Sequence, residues 1–144
     1  MKLPDDLHWI LFDLDNTLWD HERASAAAIG AVCEQYHIAE ETLRPLFKSA
    51  NEQLWEELVA GRTTFDQLRV ERFERIFAAM GAAAASHDPA EVSRFYLDRY
   101  LEKPSYFELA HDVIHAARRR ARLAILTNAP HRTQDVKLAH MGED

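Results

Sequence analysis

The sequence lacks a long apolar run, a second cysteine and an excess of positive charge. No run approaches the roughly 18 apolar residues of a membrane-spanning helix, and Met1–Leu7 is too polar for a signal peptide. Cys33 has no partner for an internal disulfide, which agrees with a reducing compartment. The 17 Lys and Arg against 24 Asp and Glu give a net charge of −7, which disfavours binding to nucleic-acid polymers and anionic membranes. We therefore expect a soluble cytoplasmic protein, and a small anionic substrate stays open if a metal or a local dipole supplies the attraction.

Two short apolar runs stand apart in the 144 residues, a length typical of one globular domain. They are Trp9–Phe12, which ends at Asp13, and Leu123–Leu126, which ends at Thr127. Continuous apolar runs of this length are typical of strands that are covered on both faces, as in a parallel sheet. Ligands of open α/β sheets bind outside the carboxyl ends of the strands, so chemistry is expected at these two ends.

The segment between the strands has helical periodicity. Thr64–Gln67 forms a predicted capping box, and Gly81 is predicted to end the helix that it opens. The predicted helices cover 20–36, 41–58, a third from Thr64 to Gly81, a fourth from Asp88 to Lys103, and roughly 105–120. The last should bury Phe107, Leu109, Ala110, Val113, Ile114 and Ala117 on one side.

The connection between the strands is far longer than a parallel crossover needs. Residues 15–122 separate them, whereas about a dozen residues suffice for a βαβ crossover. The surplus predicts an inserted helical unit after the first strand, which is the position of a lid or cap. We expect an α/β protein in which 1–19 and 104–144 form a partial parallel-sheet core and 20–103 form an all-helical cap.

The stretch Asp13-Leu14-Asp15-Asn16-Thr17 is the most informative part of the chain. In extended backbone, side chains at i and i+2 point the same way, so Asp13 and Asp15 place two carboxylates on one side of the strand's exit. Two such anions repel unless one keeps a proton or a cation lies between them. A Mg²⁺ ion fits such a site, with one carboxylate as nucleophile and the other as acid and base. Taken alone, the two acids are more often solvated turn residues.

The second strand ends in Thr127-Asn128-Ala129-Pro130. A hydroxyl before a helix that starts at proline can hold a phosphate oxygen, with help from free backbone N–H groups and the helix dipole. The alternative for Thr127 is an ordinary strand-end or N-cap residue, which alone would be favoured. The two strand ends taken together favour a phosphate site over an ordinary strand-end or N-cap residue.

These two motifs resemble those of haloacid dehalogenase (HAD) superfamily phosphatases, which have a Rossmann-like (Rossmannoid) core. The stretch from Phe12 to Leu18 matches the first motif, and Ile125–Asn128 match the second. Leu54-Trp55, Gly61 and Arg72-Phe73 resemble the cap of noncanonical pyrimidine 5′-nucleotidases.

The resemblance implies roles for residues of both motifs. Asp13 is implied as the nucleophile and a Mg²⁺ ligand, and Asp15 as the acid and base that also offers its carbonyl to the metal. Thr127 and Asn128 are implied to bind the phosphoryl group. The resemblance thus implies a Mg²⁺-dependent phosphatase acting through an aspartyl-phosphate, with a nucleoside 5′-monophosphate as substrate. The acid at Asp15 argues against dehalogenation, because dehalogenases need no acid for the leaving group.

The chain departs from the family pattern after the second motif. The family's later lysine and second acidic motif are not found before Asp144, and Lys137 lies too early to be that lysine. A two-stranded parallel sheet would also leave apolar surface uncovered. Two alternatives therefore stay open: a catalytically incomplete fragment that acts as a binding or assembly module, and a phosphoglycolate-type phosphatase with the same catalytic residues. The sequence does not determine the oligomeric state.

Two further groups of residues have competing interpretations. His111 and His115 are four residues apart on a predicted helix, but no third ligand follows by spacing, so a metal site there is disfavoured. The aromatic residues of the predicted cap could stack on a nucleobase, although helical spacing more often indicates core packing. They are Trp55, Phe65, Phe73 and Phe77.

Overall fold

The computed structural model describes residues 7–84 and 86–142. Within these residues the elements are β1 (Trp9–Phe12), α1 (His21–Tyr36), α2 (Glu40–Val59), α3 (Phe65–Met80), a 3₁₀ turn (Gly81–Ala84), α4 (Pro89–Glu102), α5 (Ala110–Arg118), β2 (Arg122–Ile125) and α6 (His131–Met141). The predicted combination of a short parallel sheet with inserted helices is confirmed. None of the described helices combines the length and the apolar character that a bilayer crossing requires.

The described residues divide into two compact units. Residues 7–24 and 103–142 form the first, called here the sheet unit, and residues 25–102 form the second, called the helical unit. The first turn of α1 belongs to the sheet unit because Arg23 donates from Nε to Ser105 Oγ at 3.1 Å and from Nη2 to the Tyr106 carbonyl at 2.6 Å. The assignment of the helical unit as a cap stays a prediction.

The helical unit follows its sequence pattern closely. The predicted capping box opens α3, since Thr64 Oγ1 accepts from Gln67 N at 3.3 Å and Thr64 N donates to Gln67 Oε1 at 3.1 Å. The helix ends before Gly81, whose φ of +60° lies in the left-handed region that glycine tolerates. Helix α3 packs against α2 and α4 and buries Leu68, Phe73, Ile76 and Phe77.

The sheet unit has two parallel strands, paired from Trp9 with Arg122 to Phe12 with Ile125. Strand β1 has the predicted bounds, whereas β2 lies one residue earlier than predicted. The expectation that both faces are covered is wrong among the described residues, because Trp9 is 44% and Leu11 60% exposed. The expectation that a two-stranded sheet leaves apolar surface open is therefore confirmed for this part of the chain.

The fifth helix is shorter than its periodicity predicts. Residues 105–107 are extended instead, because Phe107 N donates to the Leu18 carbonyl at 3.0 Å and Asp20 N donates to the Ser105 carbonyl at 2.6 Å. These long-range backbone bonds replace the first turn of the predicted helix. Of the side chains predicted to be inward, Ala110 and Ile114 are buried, Ala117 is half-buried, and Phe107, Leu109 and Val113 are exposed.

Candidate active site

A tight turn after β1 positions the two acids. The Leu14 carbonyl accepts from Leu18 N at 2.9 Å and from Trp19 N at 2.8 Å, and Asn16 adopts a positive φ of 59° within the turn. Leu14 is fully buried, whereas Asp13 is exposed and Asp15 is partly buried. The turn therefore anchors the chain through Leu14 and leaves an acid on either side of it.

The two carboxylates have different surroundings. Asp13 Oδ2 accepts one hydrogen bond from Thr17 Oγ1 at 3.1 Å, and the group is otherwise open to solvent. Both oxygens of Asp15 are engaged by α6, Oδ1 by the ammonium of Lys137 and Oδ2 by Gln134 Nε2 at 3.0 Å. Asp13 is thus the acid that is accessible to a reacting atom, and Asp15 is the acid that is held in place.

Thr127 lies at the second strand end, close to Asp15. Its Oγ1 accepts from Gln134 Nε2 at 2.7 Å and from Ala129 N at 3.2 Å. Gln134 therefore bridges Asp15 and Thr127, and the structure brings these two predicted site residues together. Asn128 is exposed and lies outside this network.

Lys137 brings an ammonium group to Asp15. Its side chain is buried, with the residue 1% exposed, and its ammonium lies 5.4 Å from the centre of the Trp19 ring. Burial lowers the pKa of Lys137, while Asp15 and, more weakly, Asp13 oppose that shift. The sequence argument called for a proton or a cation beside two adjacent carboxylates, and a protein ammonium supplies the cation at Asp15.

The backbone of Lys137 is held as well as its side chain. The buried hydroxyl of Tyr106 donates to the Lys137 carbonyl, and burial raises the pKa of Tyr106 to about 12. The Tyr106 ring lies edge-on against Trp19, with a centroid distance of 5.1 Å. Aromatic packing thus fixes α6 beneath the turn that carries Asp15.

Gln134 and Lys137 were not identified as site residues by the sequence argument. They lie three residues apart and so share one face of α6. This face buries Thr133, Gln134, Lys137 and Met141, whereas Val136 on the same helix is exposed. A buried polar face has no hydrophobic periodicity, and the i, i+3 spacing of Gln134 and Lys137 after Thr127 was the available signal.

The donor set is suited to Mg²⁺. Among residues 7–84 and 86–142, no group of three or more His, Cys, Asp or Glu side chains is arranged to hold a metal. Mg²⁺ needs fewer, because it is commonly held by one or two carboxylates with waters and substrate phosphate. The accessible carboxylate of Asp13 meets that requirement, and the backbone carbonyl of Asp15 is a further oxygen donor in the same turn.

The structure also shows how far the aromatic and histidine residues with competing interpretations are buried. Phe73 and Phe77 are buried, Phe65 is half-buried, and Trp55 is exposed against Phe65 at a centroid distance of 6.2 Å. Packing therefore accounts for Phe73 and Phe77. His111 and His115 are exposed on α5.

Comparisons with known proteins cover nearly the whole chain. The family model for haloacid dehalogenase-like hydrolases matches residues 7–144. YfnB of Bacillus subtilis (strain 168), described as a HAD-hydrolase, is 29% identical over 135 residues, which are 92% of this chain and 56% of YfnB. The pyrimidine 5′-nucleotidase PynA of Streptococcus pneumoniae is 28% identical over 90 residues, which are 62% of this chain and 38% of PynA.

Solved structures show the same fold. A crystal structure of YfnB bound to magnesium has a TM-score of 0.80 and 26% identity, covering 94% of this chain and 59% of that one. The defluorinating L-2-haloacid dehalogenase Rha0230 has a TM-score of 0.73 at 14% identity, covering 94% of this chain and 57% of the dehalogenase. The chain therefore spans little more than half the length of YfnB and less than half that of PynA.

Proposed function

This chain belongs to the haloacid dehalogenase-like hydrolase family, and from that premise we propose that it carries the catalytic acids of a Mg²⁺-dependent phosphatase. The substrate is a small phosphomonoester of the nucleoside 5′-monophosphate class, and the reaction passes through phosphorylated Asp13. The observation that carries the proposal is the contrast between an accessible Asp13 and an Asp15 tied to Thr127 by Gln134.

In the first half-reaction, an oxygen of Asp13 attacks phosphorus and the ester P–O bond breaks. Asp15, protonated before this step, gives its proton to the leaving oxygen, so the alcohol departs neutral. In the second half-reaction, water attacks the aspartyl-phosphate, its proton passes to Asp15, and Asp13 and inorganic phosphate are released. Each Asp15 oxygen has two lone pairs, so each retains an acceptor site beside its bond to Lys137 or Gln134.

The remaining groups orient and neutralise the phosphoryl group. Thr127 and Asn128 are proposed to donate to its oxygens, and β2 places Thr127 at the same sheet edge as Asp13. Mg²⁺, held by Asp13 and the Asp15 carbonyl, would neutralise phosphate charge when bound. The magnesium in the YfnB crystal structure supports this cofactor.

The nucleotide substrate is supported by the similarity to the nucleotidase PynA. A phosphoglycolate-type phosphatase would use the same residues, so the chemistry of the site does not separate the two. A panel of phosphomonoesters with nucleoside and small-acid leaving groups distinguishes them by their kcat/KM values.

The test compares Asp13→Asn with Asp112→Asn, a matched change at an exposed acid on α5. We expect Mg²⁺-dependent phosphate release by the purified chain, abolished by a chelator and lowered at least about a thousandfold by Asp13→Asn but unchanged by Asp112→Asn. Fluorine NMR with beryllofluoride and Mg²⁺ should show an adduct that Asp13→Asn removes. Unchanged activity in Asp13→Asn, or neither turnover nor adduct in the wild type, would contradict the proposal.

A further inference from the structure

The buried face of α6 joins the two strand ends of the candidate site. From this geometry we infer that Gln134 and Lys137 are positioning residues that fix Asp15 relative to Thr127, and so set the placement of the acid and base against the phosphoryl group. This inference rests on the proposed function for its catalytic consequence. The contacts themselves are independent of it.

Gln134 makes the connection between the strands. One nitrogen, Nε2, lies 3.0 Å from Asp15 Oδ2 and 2.7 Å from Thr127 Oγ1, and an amide nitrogen has two hydrogens to donate. Residues Asp15 and Thr127 are distant in sequence, and the strands that carry them end at the same edge of the sheet. A single buried amide therefore fixes the separation of the proposed acid and base from the proposed phosphate ligand.

Lys137 restricts the other oxygen of Asp15. Its ammonium contacts Oδ1 and is buried, and a buried ammonium without a counter-charge is costly. Rotation of Asp15 away from α6 would leave that ammonium without this carboxylate. Since Tyr106 also holds the Lys137 carbonyl, the helix and the carboxylate are fixed together.

Two bonds to two oxygens leave the Asp15 carboxylate a single orientation. A misplacement of about 1 Å at a reacting group can lower a rate by about a hundredfold. Loss of either contact should therefore act on the chemical step more than on substrate binding. A residue that only stabilised the fold would not produce this division between kcat and KM.

The experiment uses Lys137→Met and Gln134→Met in the full chain, because methionine retains side-chain length and removes the donors. The matched control is Asp135→Asn on the same helix, which weakens the exposed contact with His131 Nδ1 and touches neither Asp15 nor Thr127. Lys137→Arg serves as the conservative variant. Each protein is measured by urea unfolding and by phosphatase kinetics, together with Asp15→Asn and the double variant Asp15→Asn/Lys137→Met.

We expect kcat to fall by about ten- to a hundredfold in Lys137→Met and Gln134→Met, with KM changing by less than about threefold. Lys137→Arg should recover part of kcat, and Asp135→Asn should match the wild type. In urea unfolding, Asp15→Asn/Lys137→Met should lose less stability than the sum of the losses in the two single variants. The reason is that each single variant already removes the same contact, the one between Asp15 and Lys137.

Additive unfolding losses for Asp15→Asn and Lys137→Met would show that the contact is absent in solution and would overturn the inference, even if the wild type is an active phosphatase. Coupled unfolding with unchanged kcat in both methionine variants would also overturn it, because the contacts would then be structural only. An inactive wild type with coupled unfolding would instead refute the proposed function, while the contact between Lys137 and Asp15 would stand.

Discussion

The helical unit and the sheet unit bury different kinds of side chain. In the helical unit the large side chains that are fully buried are apolar or aromatic, with Phe73 in contact with Phe47, Phe77 and Tyr96 at centroid separations of 5.9–6.0 Å. In the sheet unit, Lys137 and Gln134 are buried while Trp9 and Leu11 are exposed. The helical unit therefore buries its apolar side chains against one another. The interior of the sheet unit contains a polar network, and apolar residues of its strand β1 are exposed to solvent.

The physical cause lies in how each unit is built. Amphipathic helices bury one apolar face against another, so neighbours in sequence supply most of the core of the helical unit. The sheet unit has two strands in its described residues, and a parallel sheet needs cover on both faces to bury its alternate side chains. Its polar interior is stabilised instead by the specific pairing of α6 with the turn after β1.

The largest effect is expected from Phe73→Ala, which truncates the centre of the helical unit. Phe73 is 1% exposed, and loss of a buried phenylalanine should lower the free energy of unfolding by about 3–5 kcal/mol. Urea denaturation followed by circular dichroism measures it, with Trp55→Ala at an exposed aromatic residue as the control. A loss no greater than that of the control would mean that the helical unit lacks the core described above.

A smaller effect is expected from the buried hydroxyl of Tyr106 in the sheet unit. Its pKa is raised to about 12 in the folded chain, against about 10 in the unfolded chain. The folded value is the higher one, so the contribution to stability is complete below pH 10 and is lost as the pH rises towards 12. Over that interval the wild type should lose about 2–3 kcal/mol more than Tyr106→Phe.

Unfolding free energies of the two proteins at several pH values between 9 and 12 measure this difference, and Tyr106→Phe serves as the control because it lacks the titrating group. Parallel curves would show that the Tyr106 hydroxyl is solvated. The polar interior of the sheet unit would then be more open than its contacts indicate.

Thr64→Ala should cost about 1 kcal/mol, because it removes the capping box of α3. The control is Thr42→Ala at an exposed position in the first turn of α2, whose N-cap residue Ala39 makes no side-chain cap bond. Thermal unfolding of both variants tests the difference. Equal losses would argue against local capping as a source of stability in the helical unit.

The smallest effect on the free energy of unfolding is expected from Leu11→Thr on β1, on the exposed face of the strand. Leu11 is 60% exposed, so its replacement by another residue that favours strands should change the free energy of unfolding by no more than about 0.5 kcal/mol. Leu14→Ala, at a fully buried leucine nearby, is the destabilising control. A loss in Leu11→Thr as large as in Leu14→Ala would show that something covers β1 in solution.

Most of the helical unit could be predicted from the sequence. The Thr64 capping box, the stop at Gly81 and the buried positions of α3 depend on residues within a few positions of one another. The same local signals were misleading in α5, where apolar spacing predicted a start at Ser105. Backbone bonds to Leu18 and Asp20, more than 80 positions earlier, hold Ser105 and Phe107 in extended form.

The candidate site was predictable in part. Asp13, Asp15 and Thr127 follow from polar residues at the ends of apolar runs, because parallel strands bring their carboxyl ends to one edge. Their roles in catalysis and in metal and phosphate binding stay predictions. Gln134 and Lys137 were not assigned, because their i, i+3 spacing puts them on one face of α6 but does not show what that face contacts.

By itself the sequence determined β1, the helices of the helical unit with the capping box of α3, and the family motifs, since each depends on residues close together in the chain. The tertiary structure alone decided that Lys137 is buried against Asp15, that Gln134 joins Asp15 to Thr127, and that Leu11 is exposed. The reason is that burial of a charge depends on the counter-charge brought to it by folding, and burial of a strand residue depends on what covers the sheet.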